Sequence, residues 1–291
     1  MSGAINVVLT GATNGIGRIA ATALARSGAR LVFVARNEAK AEATRRELSQ
    51  QVPGAEVDFV VADFTRLETV AAAGRWIATR YPRIDVLINN AGIHAFEQRV
   101  TPDGFPEMVS TNYLAPWLLT QHLLSSLEAG GRSRIVTVGS ESSRRSRGLD
   151  IDVDLTDTRP FSRWGSSVVY GKTKLMDIMF SAELARRLAH SGVVANSLDP
   201  GFNVTGLGRE LPFASTIERG LSLLRIGAPE VGAGIIVRLA TSDGFAATSG
   251  GYFSRKGQPL QPMAPGDDAV EQGKLWAATA QWLKPFSAKR W

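Results

Sequence analysis

Short apolar runs alternate with longer amphipathic stretches along the first two hundred positions. INVVLT (5–10), ARLVFVA (29–35), EVDFVVA (56–62), IDVLIN (84–89), SRIVTVG (133–139) and VVANSLD (193–199) are the apolar runs. Near-continuous apolar strands are what a parallel sheet covered on both faces requires. The segments between them, 15–28, 37–51, 66–81, 103–129 and 167–191, read as helices. This alternation predicts right-handed βαβ units and an α/β fold, with a central doubly wound parallel sheet and helices on both faces.

Three regions interrupt the rhythm. Residues 141–166 are a long polar segment ahead of the helix at 167. TGLGRELPFASTIERGLSLLRIG (205–227) is an amphipathic insert. After KGQPLQPMAPGDD, which is loop chemistry, AVEQGKLWAATAQWL predicts a helix capped by Asp267 or Asp268. No linker divides the first 255 residues. The expectation is one domain over 1–256, including the 205–227 segment, with 257–291 as a C-terminal loop and helix packed on it.

The 291 residues are 44% hydrophobic and 21% charged, an ordinary globular balance long enough to bury a full core. There is no cysteine, which excludes disulfides, thiolate zinc sites and cysteine nucleophiles. The net charge of +6 raises the question of polyanionic partners. The basic residues are scattered, apart from RRSR (144–147) and the terminal KRW, so no nucleic-acid partner is expected. The N-terminus has no secretory pattern, and no apolar run approaches the ~20 residues of a membrane span. A soluble, cytoplasmic protein is expected. His94, His122 and His190 have no metal-ligand spacing and read as structural, and no metal is expected. Trp164 is a candidate pocket wall.

The chemistry begins after the first run, with TGATNGIG (10–17). A strand, a glycine-rich turn and a helix start form a cradle for a dinucleotide phosphate. Glycines let backbone N–H groups approach, and the helix N-terminus favours the negative charge. Farther on, VVYGKTK places Tyr170 and Lys174 four apart, on one helix face.

The TGxxxGxG spacing resembles that of the short-chain dehydrogenase/reductase family, and further marks follow in order. They are NNAG (89–92), Asn112 in STNYLAP, Ser140 ending IVTVGS, Y-x-x-x-K at 170–174, and DPGFNVT (199–205). The resemblance covers about residues 4–255 and implies a Rossmann-type fold. It implies Ser140, Tyr170, Lys174 and Asn112 as catalytic residues. Tyr170 would be the general acid/base, with its phenol pKa of ~10 lowered by the Lys174 cation. Lys174 would also hold the nicotinamide ribose, and Asn112 would support a proton relay through water. The implied cofactor contacts are Gly11, Thr13, Asn14, Gly15, Ile16, Gly17, Arg36, Asp63, Asn90, Ala91, Gly92, Tyr170, Lys174, Pro200, Gly201 and Thr205. Asn203 departs from the aliphatic residue usual in that turn.

NADP is the expected cofactor. The second strand ends VFVARN, so Ala35 stands where an NAD enzyme would place a carboxylate. Arg36 follows it and suits a 2′-phosphate. The 30 positions from Ser140 to Tyr170, SGGYFSRKG and KLWAATAQWL resemble the retinol-dehydrogenase-like and protochlorophyllide-reductase-like branch. That texture implies an NADP(H)-dependent oxidoreductase acting on a small-molecule carbonyl or alcohol, bulky and apolar, as a monomer or homo-oligomer. Two alternatives stay open: an NADP-binding regulator or scaffold on the same fold, and a sugar-nucleotide epimerase or dehydratase. Arg144, Arg145 and Arg147 follow Ser140 closely. They are expected near the mouth of the site, either steering anions or forming a solvated loop.

Overall fold

The computed structural model describes residues 4–201 and 228–287. The candidate Thr205, Asn203 and the 205–227 segment lie outside the described residues.

The elements in chain order are β1 (Asn6–Thr10), α1 (Gly15–Arg26), β2 (Arg30–Ala35), α2 (Glu38–Gln51), β3 (Val57–Val61), α3 (Leu67–Arg80) and β4 (Val86–Asn89). Next come α4 (Glu107–Val109), a π-helical turn (Ser110–Leu114), α5 (Ala115–Glu128) and β5 (Arg134–Val138). A 3-10 turn (Glu141–Arg145) and the short α6 (Ile151–Asp154) precede α7 (Ser166–Arg187) and β6 (Val194–Leu198). The described chain continues with α8 (Pro229–Thr241), a 3-10 turn (Asp243–Phe245), β7 (Tyr252–Phe253) and α9 (Ala269–Leu283).

The strands form one seven-stranded sheet, ordered β3-β2-β1-β4-β5-β6-β7, with every pairing parallel. This is the doubly wound, Rossmann-type α/β fold that the alternation predicts. Successive strand residues point to opposite faces, so each strand feeds two cores. Val8, Val32, Leu87 and Ile135 join one core with α3, α5, α7 and α9. Val7, Leu9, Leu31, Phe33 and Ile88 join the other with α1, α2 and α8.

The structure departs from the expected elements at three places. The expected helix over 103–129 is interrupted: α4 gives way to the π-helical turn before α5 begins. Helix α8 carries Gly232 and Gly234, which weaken helix propensity, yet Ile235, Ile236 and Leu239 are buried in the second core. Tertiary packing makes that helix. β7 is two residues long, too short to show a period. Helix α9 is capped by Asp268, whose Oδ1 accepts from the Val270 and Glu271 N–H groups. Its Trp276 packs on Trp117 with ring centroids 5.3 Å apart.

Candidate active site

The order of the sheet reverses between β1 and β4, and loops leaving the carboxyl ends there open a crevice, as this topology requires. The crevice has a volume of about 460 Å³. Gly11, Thr13, Asn14, Gly15, Ile16 and Gly17 line it from the first turn. Arg36 and Asp63 line it from the ends of β2 and β3, and Asn90, Ala91 and Gly92 from the end of β4. Ser140, Tyr170, Lys174, Pro200 and Gly201 line its other wall.

The first turn is built for close approach. Gly11 has φ +75° and Gly15 φ +56°, the left-handed region that favours glycine. A Cβ on Gly17 would stand 2.3 Å from the Gly11 carbonyl oxygen and 2.4 Å from Asn90 Nδ2. Asn90 Nδ2 donates to the Thr10 and Gly11 carbonyls at 2.9 and 3.3 Å. The Asn90 and Ala91 N–H groups both donate to Thr10 Oγ1 at 2.9 Å, so the ends of β1 and β4 are tied together. Asn14 is the N-cap of α1, but its side chain makes no capping bond, and the first turn carries no acidic residue. The positive helix end therefore stays open to an anion in the crevice. A dinucleotide pyrophosphate fits this cradle. Arg36 is exposed beside Ala35 at the rim. Asp63 Oδ1 accepts from the Thr65 N–H and hydroxyl at 3.0 and 2.8 Å, which fixes the turn after β3.

On the other wall, Ser140 Oγ accepts from the Ser142 N–H at 3.0 Å and caps the 3-10 turn. A hydroxyl that accepts there still has its own proton to donate. A Cβ on Gly171 would lie 2.6 Å from the Ser142 carbonyl oxygen. The glycine after Tyr170 thus lets the Ser140 turn rest against α7. Asn112 sits in the π-helical turn, buried. Its Oδ1 accepts from the Ile93 N–H at 2.8 Å, and its Nδ2 donates to the Ile93 carbonyl and Thr173 Oγ1 at 2.9 and 3.0 Å. The side chain braces the segment after β4 against α7, just behind the crevice.

Lys174 Nζ donates to the Val138 carbonyl at 2.8 Å and to Asp177 Oδ2 at 2.9 Å. Burial works to lower the Lys174 pKa, but the Asp177 charge, Tyr170 and the Asp177 hydrogen bond together raise it above the ordinary lysine value. The expected lowering of the Tyr170 pKa is not the net result. Burial lifts the phenol above its ordinary value; Lys174 opposes the lift, while Asp177 and Asp199 add to it. Asp199 links the two walls, since its carboxylate accepts from the Glu141 and Gly201 N–H groups at 3.0 and 3.1 Å.

A family profile described as short chain dehydrogenase matches residues 6–149. A Streptomyces sp. (strain C5) protein assigned as a daunorubicin C-13 ketoreductase is 38% identical over 275 residues, covering 94% of this chain and 91% of its own. Human retinol dehydrogenase 14 is 35% identical, over 93% of this chain and 83% of its own. The crystal structure of an uncharacterised protein from Mycobacterium paratuberculosis superposes with a TM-score of 0.72 at 30% identity, covering 96% of this chain and 93% of that one. The chain belongs to the short-chain dehydrogenase/reductase family. It is therefore an oxidoreductase of the nicotinamide-dependent kind, and retinol dehydrogenases are among its relatives, as the texture of its sequence implied.

One residue in the site of this short-chain dehydrogenase/reductase reads as structural from its spacing alone. His94 follows NNAG by two positions and lines the crevice. Its ring stacks on Tyr170, with centroids 4.7 Å apart and planes at 17°, and on Phe96 at 4.8 Å. Ser166 Oγ donates to the Arg163 carbonyl at 2.6 Å, so it accepts from His94 Nε2 at 3.2 Å, and Nε2 carries a proton. The usable signal was the position of His94 on the loop after a β4 that ends at the switch point. His122 is structural as expected: its Nε2 donates to the Phe286 carbonyl at 2.9 Å.

Trp164 lines no part of the crevice among the described residues. It is 91% exposed, on the turn that leads into α7, and points to solvent. Arg144, Arg145 and Arg147 are exposed on their turn and line no part of the crevice among the described residues. Arg144 pairs with Glu141 at 2.7 Å and donates to the Gln261 carbonyl at 2.9 Å, which matches the solvated-loop reading. Among the described residues no helix is long and apolar enough to cross a membrane, and no acidic or histidine cluster could hold a metal.

Proposed function

We propose that this oxidoreductase is NADP(H)-dependent and interconverts a bulky, apolar carbonyl compound and its alcohol, with Tyr170 as the proton donor. The observation that carries the reading is the convergence of Ser140, Tyr170 and Lys174 on one wall of a crevice whose other end is a phosphate cradle. The nicotinamide, when bound, supplies or takes the hydride. Tyr170 holds a proton at its Oη for the carbonyl oxygen, which gains negative charge as it is reduced. Ser140 Oγ gives that oxygen a second hydrogen bond. Lys174 would hold the cofactor ribose through its ammonium, and Asn112 braces both elements that carry the site. Pro200 and Gly201, with Thr205 beyond the described residues, are assigned to the carboxamide end.

Arg36 at the end of β2, with no carboxylate at Ala35, supports NADP over NAD. The ketoreductase and retinol dehydrogenase relatives support a large, apolar substrate. The proposal includes one catalytic unit over 1–256, with 257–291 as its extension, in the cytoplasm. A panel of aromatic and aliphatic ketones, aldehydes and alcohols, followed by NADPH absorbance, tests it. Turnover of a bulky ketone or aldehyde is the expected result. Tight NADPH binding with no turnover of any member would replace this reading with a cofactor-sensing regulator.

A further inference from the structure

Helix α7 carries a third ionisable residue in register with the pair that motif reading singles out. Asp177 lies three positions after Lys174, and the two side chains are 2% and 5% exposed. Two of the three Lys174 ammonium protons go to Asp177 and to Val138 of β5, which leaves one to point toward the crevice. The other Asp177 oxygen, Oδ1, is buried and has no hydrogen-bond partner among the described residues. The residues before and after it in α7, Leu175, Met176, Ile178, Met179 and Phe180, are all buried, so this turn of the helix is covered on every side. A carboxylate in such a place is costly to ionise, and burial outweighs the pull of Lys174, raising the Asp177 pKa to about 6. At neutral pH it is nevertheless charged, and the group it touches is Lys174.

We propose that Asp177 is a positioning residue of the redox site: it pins the Lys174 ammonium against β5 and offsets its charge, so that Tyr170 meets the substrate as a neutral, proton-donating phenol. The inference rests on Tyr170 being the acid of the proposed function. A bare ammonium one turn from the phenol would favour phenolate, which cannot protonate an alkoxide. With Asp177 beside it, Lys174 keeps its orienting hydrogen bond while its field at Tyr170 is weakened. The other ionisable groups around the pair act in known directions. Asp199, after β6, also raises the Tyr170 pKa, and Glu141 and Arg255 act on Asp199 in opposite senses. Tyr113 of the π-helical turn feels Asp177, but burial holds its phenol neutral, far above the ordinary range. His94 covers one face of the Tyr170 ring.

The test is a pH titration of phenolate absorbance in the cofactor-free protein, taken as the difference from Tyr170→Phe so that the other three tyrosines cancel. Tyr170 in Asp177→Asn should titrate at lower pH than in the unmutated protein. The alkaline fall of kcat/KM for carbonyl reduction should move to lower pH in parallel. Asp177→Leu, which suits the apolar surroundings, removes the same charge and gives the same reading should the Asn variant fold poorly. Asp177→Glu keeps the charge and should titrate close to the unmutated protein. A Tyr170 midpoint that is unchanged or raised in a folded, charge-free variant would overturn the role of Asp177. Absence of carbonyl turnover in the unmutated protein would instead overturn the proposed function, and the titration, which needs no turnover, would still decide the charge balance.

Discussion

The His94 imidazole lies nearly flat on the Tyr170 phenol, with centroids 4.7 Å apart and planes at 17°. One face of the proposed acid is thus covered by a ring that is itself fixed by Ser166 and backed by Phe96. A stacked ring pair contributes about 0.5–1.5 kcal/mol beyond area burial. His94→Leu should therefore lower kcat by about two- to tenfold at 1.4 kcal/mol per factor of ten, with NADPH affinity nearly unchanged. Steady-state kinetics beside a direct NADPH titration checks this. A loss as deep as that of Tyr170→Phe would mean that His94 itself moves a proton.

Tyr170→Phe keeps the ring and the His94 stack but removes the proton. Turnover should fall by ~10²–10⁴-fold, the usual contribution of a positioned acid. NADPH binding, followed by fluorescence, should survive. Retention of more than about a tenth of the rate contradicts the acid assignment, because that lies far outside this range.

Arg36 stands at the crevice rim after β2. On the proposed assignment, Arg36→Asp replaces the charged donor to the 2′-phosphate with a repelling carboxylate. The loss should be roughly 1.5–3 kcal/mol, or about 10- to 150-fold in NADPH affinity, with NADH affected much less. Equal dissociation constants for NADPH and NADH in the unmutated protein would remove the basis for the assignment.

Gly17 has no room for a side chain, since its Cβ would press on the Gly11 carbonyl and on Asn90. Gly17→Ala should cost about 1–3 kcal/mol, as overpacking generally does. Because the same contact shapes the phosphate cradle, NADPH affinity should drop together with thermal stability. Gly28→Ala tests whether the effect is local: Gly28 has φ +82° with nothing within 4 Å of its Cβ. That variant should lose stability through backbone strain alone and keep its affinity for NADPH.

The alternation of strands and helices, the glycine turn and the Tyr170–Lys174 spacing are legible in the amino-acid sequence. Each of these is local: a period, a φ requirement, or a helical offset, readable within one stretch of chain. α8 and β7 were not legible, because two glycines in one and a length of two in the other leave no local pattern. His94, Gly171 and the proposed positioning residue Asp177 carry no local mark of a site, while Trp164 lines no crevice among the described residues. Their roles depend on what faces them from elsewhere in the chain or in the helix interior: a phenol 76 positions away for His94, and the carbonyl of Ser142 for Gly171. The net direction of the Tyr170 pKa was decided in the same way. Sequence shows the lysine that lowers it, but burial is a property of the packed core, and only the folded chain encloses the phenol and sets Asp177 and Asp199 around it.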